Sequence, residues 1–458
     1  MSARSRIGIG LGMCAIASLL GSNAVLAQGP AAPAAAPTGT VQERLTALEE
    51  KTNAEGLWKT LGFKLSGGVS ASYNHNFNNP NTNLSQLYTH NANTNTFTPN
   101  LAQIMLERVA VASGSGADRA GFRARLNFGS DARYSLARTN FIGNKDNTEV
   151  DAQELYADYI VPIGNGLRIQ AGKMNTMLGF ETFTSWENPN FARTFNYNLG
   201  QTFTNTGLRA TYVFNPMLTV GAGLYNGWDN IEDNNKSKQI EGYFTLTLHP
   251  RFVNFFYATW TPEQSNNRGF LPFQTGADPT SHRLTLDYIN TTQLTDKDTF
   301  ILELHYANET NASFVHPGKN SRWNGAVAYL NHNFTDQWAL NSRAEIFEDA
   351  GGTRVCTGAI LFNGGNNTCA NSPLNFNNTG VPFAASATGG TVTGLPAQVG
   401  GIPLTVWDIT ETLQFKPTPA LITRTEFRYE HANKDVFLNG SRPTNHQETL
   451  TFNVVYLY

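Results

Sequence analysis

From Leu61 to Tyr458 the apolar residues recur with a period of two rather than 3.6. Leu61, Phe63, Leu65, Gly67, Val69, Ala71 and Tyr73 alternate with Lys64, Ser66, Gly68, Ser70 and Ser72. Phe122, Ala124, Leu126 and Phe128 alternate with Arg123, Arg125 and Asn127. Leu421, Thr423, Thr425, Phe427 and Tyr429 alternate with Arg424, Glu426, Arg428 and Glu430. Successive side chains of a strand point to opposite faces, so each segment has one apolar and one strongly polar face. Strands this long with aromatics at both ends predict a membrane barrel over a soluble sandwich.

The connections sharpen that reading. Ser113–Asp118, Pro162–Gly166, Asn215–Met217, His249–Arg251, Thr295–Asp298, Thr335–Gln337 and Pro417–Ala420 predict tight turns. Between them run longer segments rich in Asn, Gly and Thr: Asn78–Asn100, Asn226–Ser237, Pro262–Thr280, Glu309–Arg322 and the large Asp349–Pro403 insertion. Regular alternation of short turns and long loops is expected of a transmembrane antiparallel β-barrel with one end in the periplasm and the other outside. Counting through the turns predicts about sixteen strands, within roughly fourteen to eighteen. Aromatics make up 11% of the chain and cluster near strand ends, as at Phe255-Phe256-Tyr257, Trp407 and Tyr456, where amphipathic rings suit a bilayer interface. The final strand, Glu448–Tyr458, ends on an aromatic residue and is placed to close the sheet against the first, leaving no open edge in lipid. Two segments break the pattern. Glu411 shares parity with Trp407, Ile409, Leu413 and Phe415, which aims a carboxylate outward, and the second strand, around Ile104–Val111, alternates poorly.

The N-terminus sets the compartment. Arg4 and Arg6 precede an apolar stretch from Ile7 to Leu20, and Val25-Leu26-Ala27 offers small residues for cleavage before Gln28. This is the plan of a secretory signal peptide over 1–27, too short for a spanning helix. Residues 28–60 read as an Ala/Pro-rich spacer followed by a short periplasmic helix over Val41–Thr52, either a small coiled coil or a frayed amphipathic turn. The barrel then occupies 61–458. Taking two arginines and no acids from 32 basic and 35 acidic residues leaves a net charge near −5, which gives no case for a nucleic-acid partner. The mean hydropathy of −0.32 would class the chain as soluble, but a barrel hides its apolar residues by alternation.

From about residue 60 onward the chain resembles the OmpL-like putative β-barrel porin-2 family of Gram-negative outer membranes. The resemblance is carried by AQELYADYIVP, GLRIQAGKMNTMLGFE, NPNFARTF, FTNTGLRATY and NGWDNIEDNN within Asp151–Asn235. WNGAVAYLNHNFTDQWALNSRAEIFEDAGGTR (Trp323–Arg354) carries it further. It implies a closed barrel in the outer membrane and a transport role, with lipid, lipopolysaccharide and small hydrophilic solutes as partners. It supplies no solute and no residue roles. The insertion at Asp349–Pro403 is longer than is usual for the family. Trimers are common among porins of this size, which makes a homo-trimer an analogy at fold level.

If the apolar parity faces lipid, the lumen receives Arg123, Arg125, Arg168, Arg209, Arg283, Arg343, Arg424 and Arg428. It also receives Glu154, Asp158, Glu241, Asp287, Glu303, Glu345, Asp408, Glu426 and Glu430. Charges inside a barrel must pair or stay hydrated, so these predict a wet interior. They either set a transverse field that screens solutes or form an ionic lattice that stiffens the wall. Six aromatics in Asn175–Gln201 predict that this segment packs on something: inward as a constriction, with Glu187 and Arg193 reaching the pore, or on the rim or a subunit interface. Asp229, Glu232 and Asp233 could hold a hard cation, but the spacing lacks the calcium-loop glycine and a solvated acidic loop fits as well. Cys356 and Cys369 pair as a disulfide in an oxidising periplasm.

No cofactor is expected, and enzyme signals fail. The run from Gly166 to Gly172-Lys173 has one residue too many for a phosphate loop, and Met174 stands where Ser or Thr is required. No nucleophile elbow or zinc-spaced histidine pair occurs, and His305 and His332 with nearby serines are the remaining catalytic candidates. The sequence therefore predicts a passive porin for small hydrophilic solutes and ions. The alternative is a non-conducting adhesin or structural barrel whose loops bind partners.

Overall fold

The computed structural model describes residues 62–458 apart from 89, 114, 135–149, 234, 264–280, 314–315, 317 and 356–402. The signal peptide, the spacer and short helix, and Cys356 and Cys369 lie outside the described residues.

The alternating segments form strands. In chain order they are β1 (Lys64–Asn76), β2 (Thr96–Arg108), β3 (Ala120–Phe128), β4 (Val150–Val161), β5 (Leu167–Asn175), β6 (Thr204–Asn215), β7 (Leu218–Tyr225), β8 (Gln239–His249) and β9 (Phe252–Pro262). There follow β10 (His282–Gln293), β11 (Asp298–Glu309), β12 (Ser321–Asn333), β13 (Trp338–Asp349), β14 (Leu404–Thr418), β15 (Leu421–Ala432), β16 (Phe437–Asn439), β17 (Arg442–Thr444) and β18 (His446–Leu457). Sixteen of them close into one antiparallel barrel, each paired to its sequence neighbour, and β18 closes it on β1. Closure runs through pairs such as Val69 with Tyr456 and Tyr73 with Phe452, so no strand edge is left unpaired in the wall. The short β16 and β17 form a separate hairpin in the connection between β15 and β18. The seven predicted turns all fall at one end, and the long connections all fall at the other.

The outer wall is apolar. Leu65, Val69, Ile104, Leu208, Leu286, Leu330, Ile409 and Phe452 are exposed on it. Aromatic stacks lie at both rims: Trp338 on Phe415 at 4.3 Å near the turn end, and Trp260 on His282 at 4.1 Å near the loop end. Glu411 faces outward as its parity predicts and accepts a hydrogen bond from the Ser342 hydroxyl at 2.7 Å on the neighbouring strand.

Two expectations change. The second strand is Thr96–Arg108, earlier than the sequence suggests: Val109–Val111 lie beyond its end, and the strand carries a β-bulge further upstream. Ser70 pairs with Leu101 while Ala71 pairs with Pro99, so Asn100 is the extra residue and the inward parity switches there. In the Phe255-Phe256-Tyr257 run only Phe256 lies outside, stacked on Phe244 at 4.6 Å. Phe255 and Tyr257 point inward, where they join Val253, Ile289, Ile301, Val327 and Tyr329 in an apolar core. The interior is therefore lined by apolar and aromatic side chains on that side, not by charge throughout.

Candidate pore

The inward parity places the predicted charges together. Arg125, Glu154, Asp158, Arg209, Arg283, Asp287, Glu303, Arg343, Glu345, Arg424, Glu426, Arg428 and Glu430 are buried inside the barrel, as are Glu241 and Asp408. Arg123 and Arg168 are half-buried. A second bulge helps: Arg125 pairs with Glu154 while Leu126 pairs with Ala152, so Gln153 is the extra residue. That lets Asp151, Gln153, Glu154 and Tyr156 all reach the interior, where each is buried.

The segment between β5 and β6 folds inward and is buried along nearly its whole length. A short 3-10 turn at Ser185–Glu187 and a π-helical turn at Asn196–Gly200 are its only regular elements. Its backbone polar groups lack sheet partners, so the far wall supplies them, as buried N–H and C=O groups require. Arg424 donates to the carbonyls of Ser185 at 2.9 Å and Asn188 at 3.0 Å. Glu426 accepts from the amides of Phe191 at 2.6 Å and Ala192 at 2.8 Å. Arg343 donates to the Ala192 carbonyl at 2.6 Å and Arg428 to that of Arg193 at 2.8 Å. Glu303 accepts from Asn196 Nδ2 at 2.6 Å and Gln201 Nε2 at 2.5 Å, and Glu345 accepts from the Phe195 amide. Trp323 Nε1 donates to the Gly200 carbonyl at 3.1 Å. Where the loop leaves, Asp229 accepts from Thr202 Oγ1 and from the amides of Phe203 and Thr204, at 2.8–2.9 Å.

The lumen charges thus split by wall. On β11 to β15 they clamp the inward loop. Within that set Arg428 bridges Asp408 at 2.8 Å and Glu430 at 3.2 Å. Asp287, on β10, faces His305 at 3.1 Å, and Arg283 pairs with Glu309 at 2.7 Å. On β3 to β6 most charges pair within the wall, Arg125 also donates to Thr184 Oγ1 of the loop at 3.0 Å, and Arg123 and Arg168 stand half-buried at open space. A cavity of about 380 Å³ separates the loop from this wall, bordered by Arg123, Arg125, Arg168 and Arg209, with Glu154 and Glu187. Arg125 stands 2.9 Å from Glu154 and 3.6 Å from Glu187.

Of the two loop charges singled out in the sequence, Glu187 borders the cavity and Arg193 does not. The Arg193 side chain is buried, and its guanidinium donates to the carbonyls of Thr182, Phe191 and Phe183 at 3.0, 2.6 and 2.5 Å. It ties the loop to itself, because those carbonyls have no strand partner. Asp229 is likewise a backbone acceptor rather than a cation ligand. Burial raises its carboxyl above the usual carboxylate range, and no metal-binding group of acids, histidines and cysteines occurs among the described residues.

Sequence reasoning missed three contributors. Glu181 on the loop pairs with Arg343 at 3.2 Å, and Lys173 pairs with Asp151 at 3.0 Å. The connection between β1 and β2, read as a long polar loop rich in asparagine, folds in as well: Tyr88 is buried under Arg428 at 4.8 Å, and His90 packs on Phe183 at 4.9 Å. Its asparagines have another use. Asn79, Asn83, Asn91 and Asn95 all take positive φ, between 47° and 58°, a region that asparagine tolerates better than most residues. The buried Leu87 and Tyr88 between them were the available signal.

Comparison with known proteins agrees with this architecture. Solved structures that share the fold include OprB of Pseudomonas putida, at 10% identity over 90% of this chain and 97% of that one, with a TM-score of 0.52. An anion-selective porin from Comamonas acidovorans matches at 7% identity over 86% and 99%, TM-score 0.51. OmpF of Salmonella typhi, in complex with daunomycin, matches at 10% identity over 87% and 99%, TM-score 0.50. No curated protein sequence matches the chain. The model of the OmpL-like putative β-barrel porin-2 family matches residues 62–458. With that match spanning the whole barrel, the chain belongs to this family of bacterial outer-membrane β-barrel porins.

Proposed function

We propose that the protein is a passive diffusion channel through which small hydrophilic solutes and ions cross the outer membrane. The carrying observation is the cavity between the inward loop and the β3–β6 wall, bordered by paired charges of both signs. Charged groups left in open space inside a barrel stay hydrated rather than bear the full desolvation penalty, and a water-filled passage results. The constriction is formed by the loop, with Glu187 facing Arg125, and the field between them acts across the path of a solute. The outward apolar wall meets outer-membrane lipid and lipopolysaccharide, and Cys356 and Cys369 form a disulfide. The assembly is a homo-trimer, testable by light scattering in detergent.

The test is single-channel recording of purified, refolded protein in a planar bilayer under a salt gradient. Reproducible ohmic steps are expected. A silent membrane, with insertion confirmed by protease protection, would instead support the second reading, a non-conducting surface barrel. That reading draws on the inward fold of two loops and on the apolar core beneath them.

A further inference from the structure

We infer that the passage favours small organic anions that carry an apolar or aromatic body, as an aromatic sulfonate or carboxylate does. This rests on the diffusion-channel reading and adds a solute class to it.

The two sides of the cavity differ in chemistry. The barrel wall borders the cavity with four guanidiniums, but Arg125 and Arg209, 6% and 5% exposed, are spent on Thr184 and Glu241, so Arg123 and Arg168 are the two presented to a solute. Each has an acidic partner, so formal charge alone predicts no preference. Position decides it. Arg168 is 28% exposed while its partner Asp158 is 2% exposed. Arg123 is 23% exposed, with Glu107 at 8% and Glu154 at 4% behind it. The acids are recessed into the wall, where they orient the guanidiniums, and the cationic groups face the solute. Arg168 engages its acid through Nε alone, at 2.6 Å, which leaves its terminal nitrogens available to an anion. Bidentate donation to an oxyanion is what that planar fork does best.

The opposite side is mixed: Thr176, Glu181 and Thr182 stand among apolar groups, and the apolar groups are what set it apart from the wall. Met177, Leu178, Phe183 and Phe203 come from the inward loop, and Met174 and Phe255 extend the surface. Thioether and aromatic groups there would lie against a solute's apolar body and remove it from water. Glu187, 26% exposed at the loop edge, gives the space a polarity: an anion's charged end is turned to the wall and its body to the loop. A cavity of about 380 Å³ holds a single-ring solute with room for water. A hydrated inorganic ion uses only half of this surface.

The experiment uses the full-length protein in planar bilayers, with reversal potentials measured between potassium chloride and potassium salts of permanently ionised anions. Methanesulfonate and benzenesulfonate share a head group and differ in body. If the inference holds, the channel is anion-selective in potassium chloride, and benzenesulfonate permeates at least as well as the smaller methanesulfonate. The double variant R123Q/R168Q then lowers the anion-to-cation permeability ratio several-fold, and M177Q lowers the ratio of benzenesulfonate to methanesulfonate. Cation selectivity, or permeation that falls strictly with anion size, would overturn the inference while leaving the channel standing. Wild-type protein alone decides those two outcomes. A membrane that never conducts would remove the channel reading and this inference with it.

Discussion

At the scale of single residues, much of the interior is arranged by what glycine leaves out. A Cβ at Gly325 on β12 would sit 2.5 Å from Asn196 Oδ1 and 2.7 Å from its Cγ. Asn196 is already held by Glu303, so it cannot swing away without losing that bond. Gly325→Ala is therefore expected to displace the π-helical turn and to destabilise the protein by about 1–3 kcal/mol, the usual range for overpacking. Thermal unfolding in detergent measures the loss, and single-channel noise should rise as the loop loosens. The same variant at Gly440, where no atom lies within 4 Å but φ is +57°, would strain the backbone alone and leave the noise unchanged. A different residue-scale effect concerns Glu263, just beyond β9, whose two oxygens accept from the Trp228 amide at 3.2 and 3.0 Å. Burial lifts its carboxyl to about 7, against about 4.3 in an unfolded chain. Between those values the closed loop holds a proton that the open loop has released, so its stability is full at low pH and declines as pH rises through that window. Proteolysis of this loop region should quicken between pH 5 and 7 and level off above. Glu263→Gln should flatten the profile; an unchanged profile would assign the dependence to another group.

At the scale of elements, the inward loop is the feature that organises the pore, and the wall's charges hold it. Glu426 is one such clamp: beyond the two loop amides, it accepts from the Thr412 hydroxyl at 2.7 Å. A glutamine there offers one oxygen where the site needs two acceptors, and its amide nitrogen would face a donor. Glu426→Gln should cost about 1–3 kcal/mol, in line with unsatisfied buried donors, and should lower conductance as the loop moves off the β15 wall toward the cavity. Unchanged conductance with lowered stability would show that the loop is held without it. The strands themselves were legible in the sequence because one buried face enforces period two. The turn and loop ends were legible because short and long connections alternate. The β2 boundary was not: a bulge at Asn100 shifts parity near its start, and Val109–Val111 continue the apolar run beyond its end. Parity also told which charges point inward but not what they meet. The same alternation yields Arg168 at the cavity and Arg424 against loop carbonyls, because the difference lies in where a distant segment folds. Arg193 shows the limit: a charge in an aromatic loop reads as functional, yet it satisfies its own backbone.

At the scale of the whole molecule, orientation in the membrane follows from one asymmetry: seven turns at one end, long connections at the other. Outer-membrane barrels place short turns in the periplasm and long loops outside. Two exposed positions test this directly. Asp296 lies in the turn between β10 and β11 with its side chain 83% exposed, and Asn439 ends the exposed tip of β16. Each can be changed to cysteine in a background where Cys356 and Cys369 are serine. A membrane-impermeant maleimide added to intact cells should label N439C and spare D296C until the outer membrane is opened. Labelling of both from outside would indicate a broken envelope, which a periplasmic marker protein detects. Labelling of D296C alone would invert the barrel. Inversion would also place both ends of the inward loop at the periplasmic face, so an external solute would reach Arg123 and Arg168, near the turn ends of β3 and β5, before the loop. The orientation and the solute path thus stand on the same measurement, and the asymmetry of the connections commits both to the outward-facing loop end.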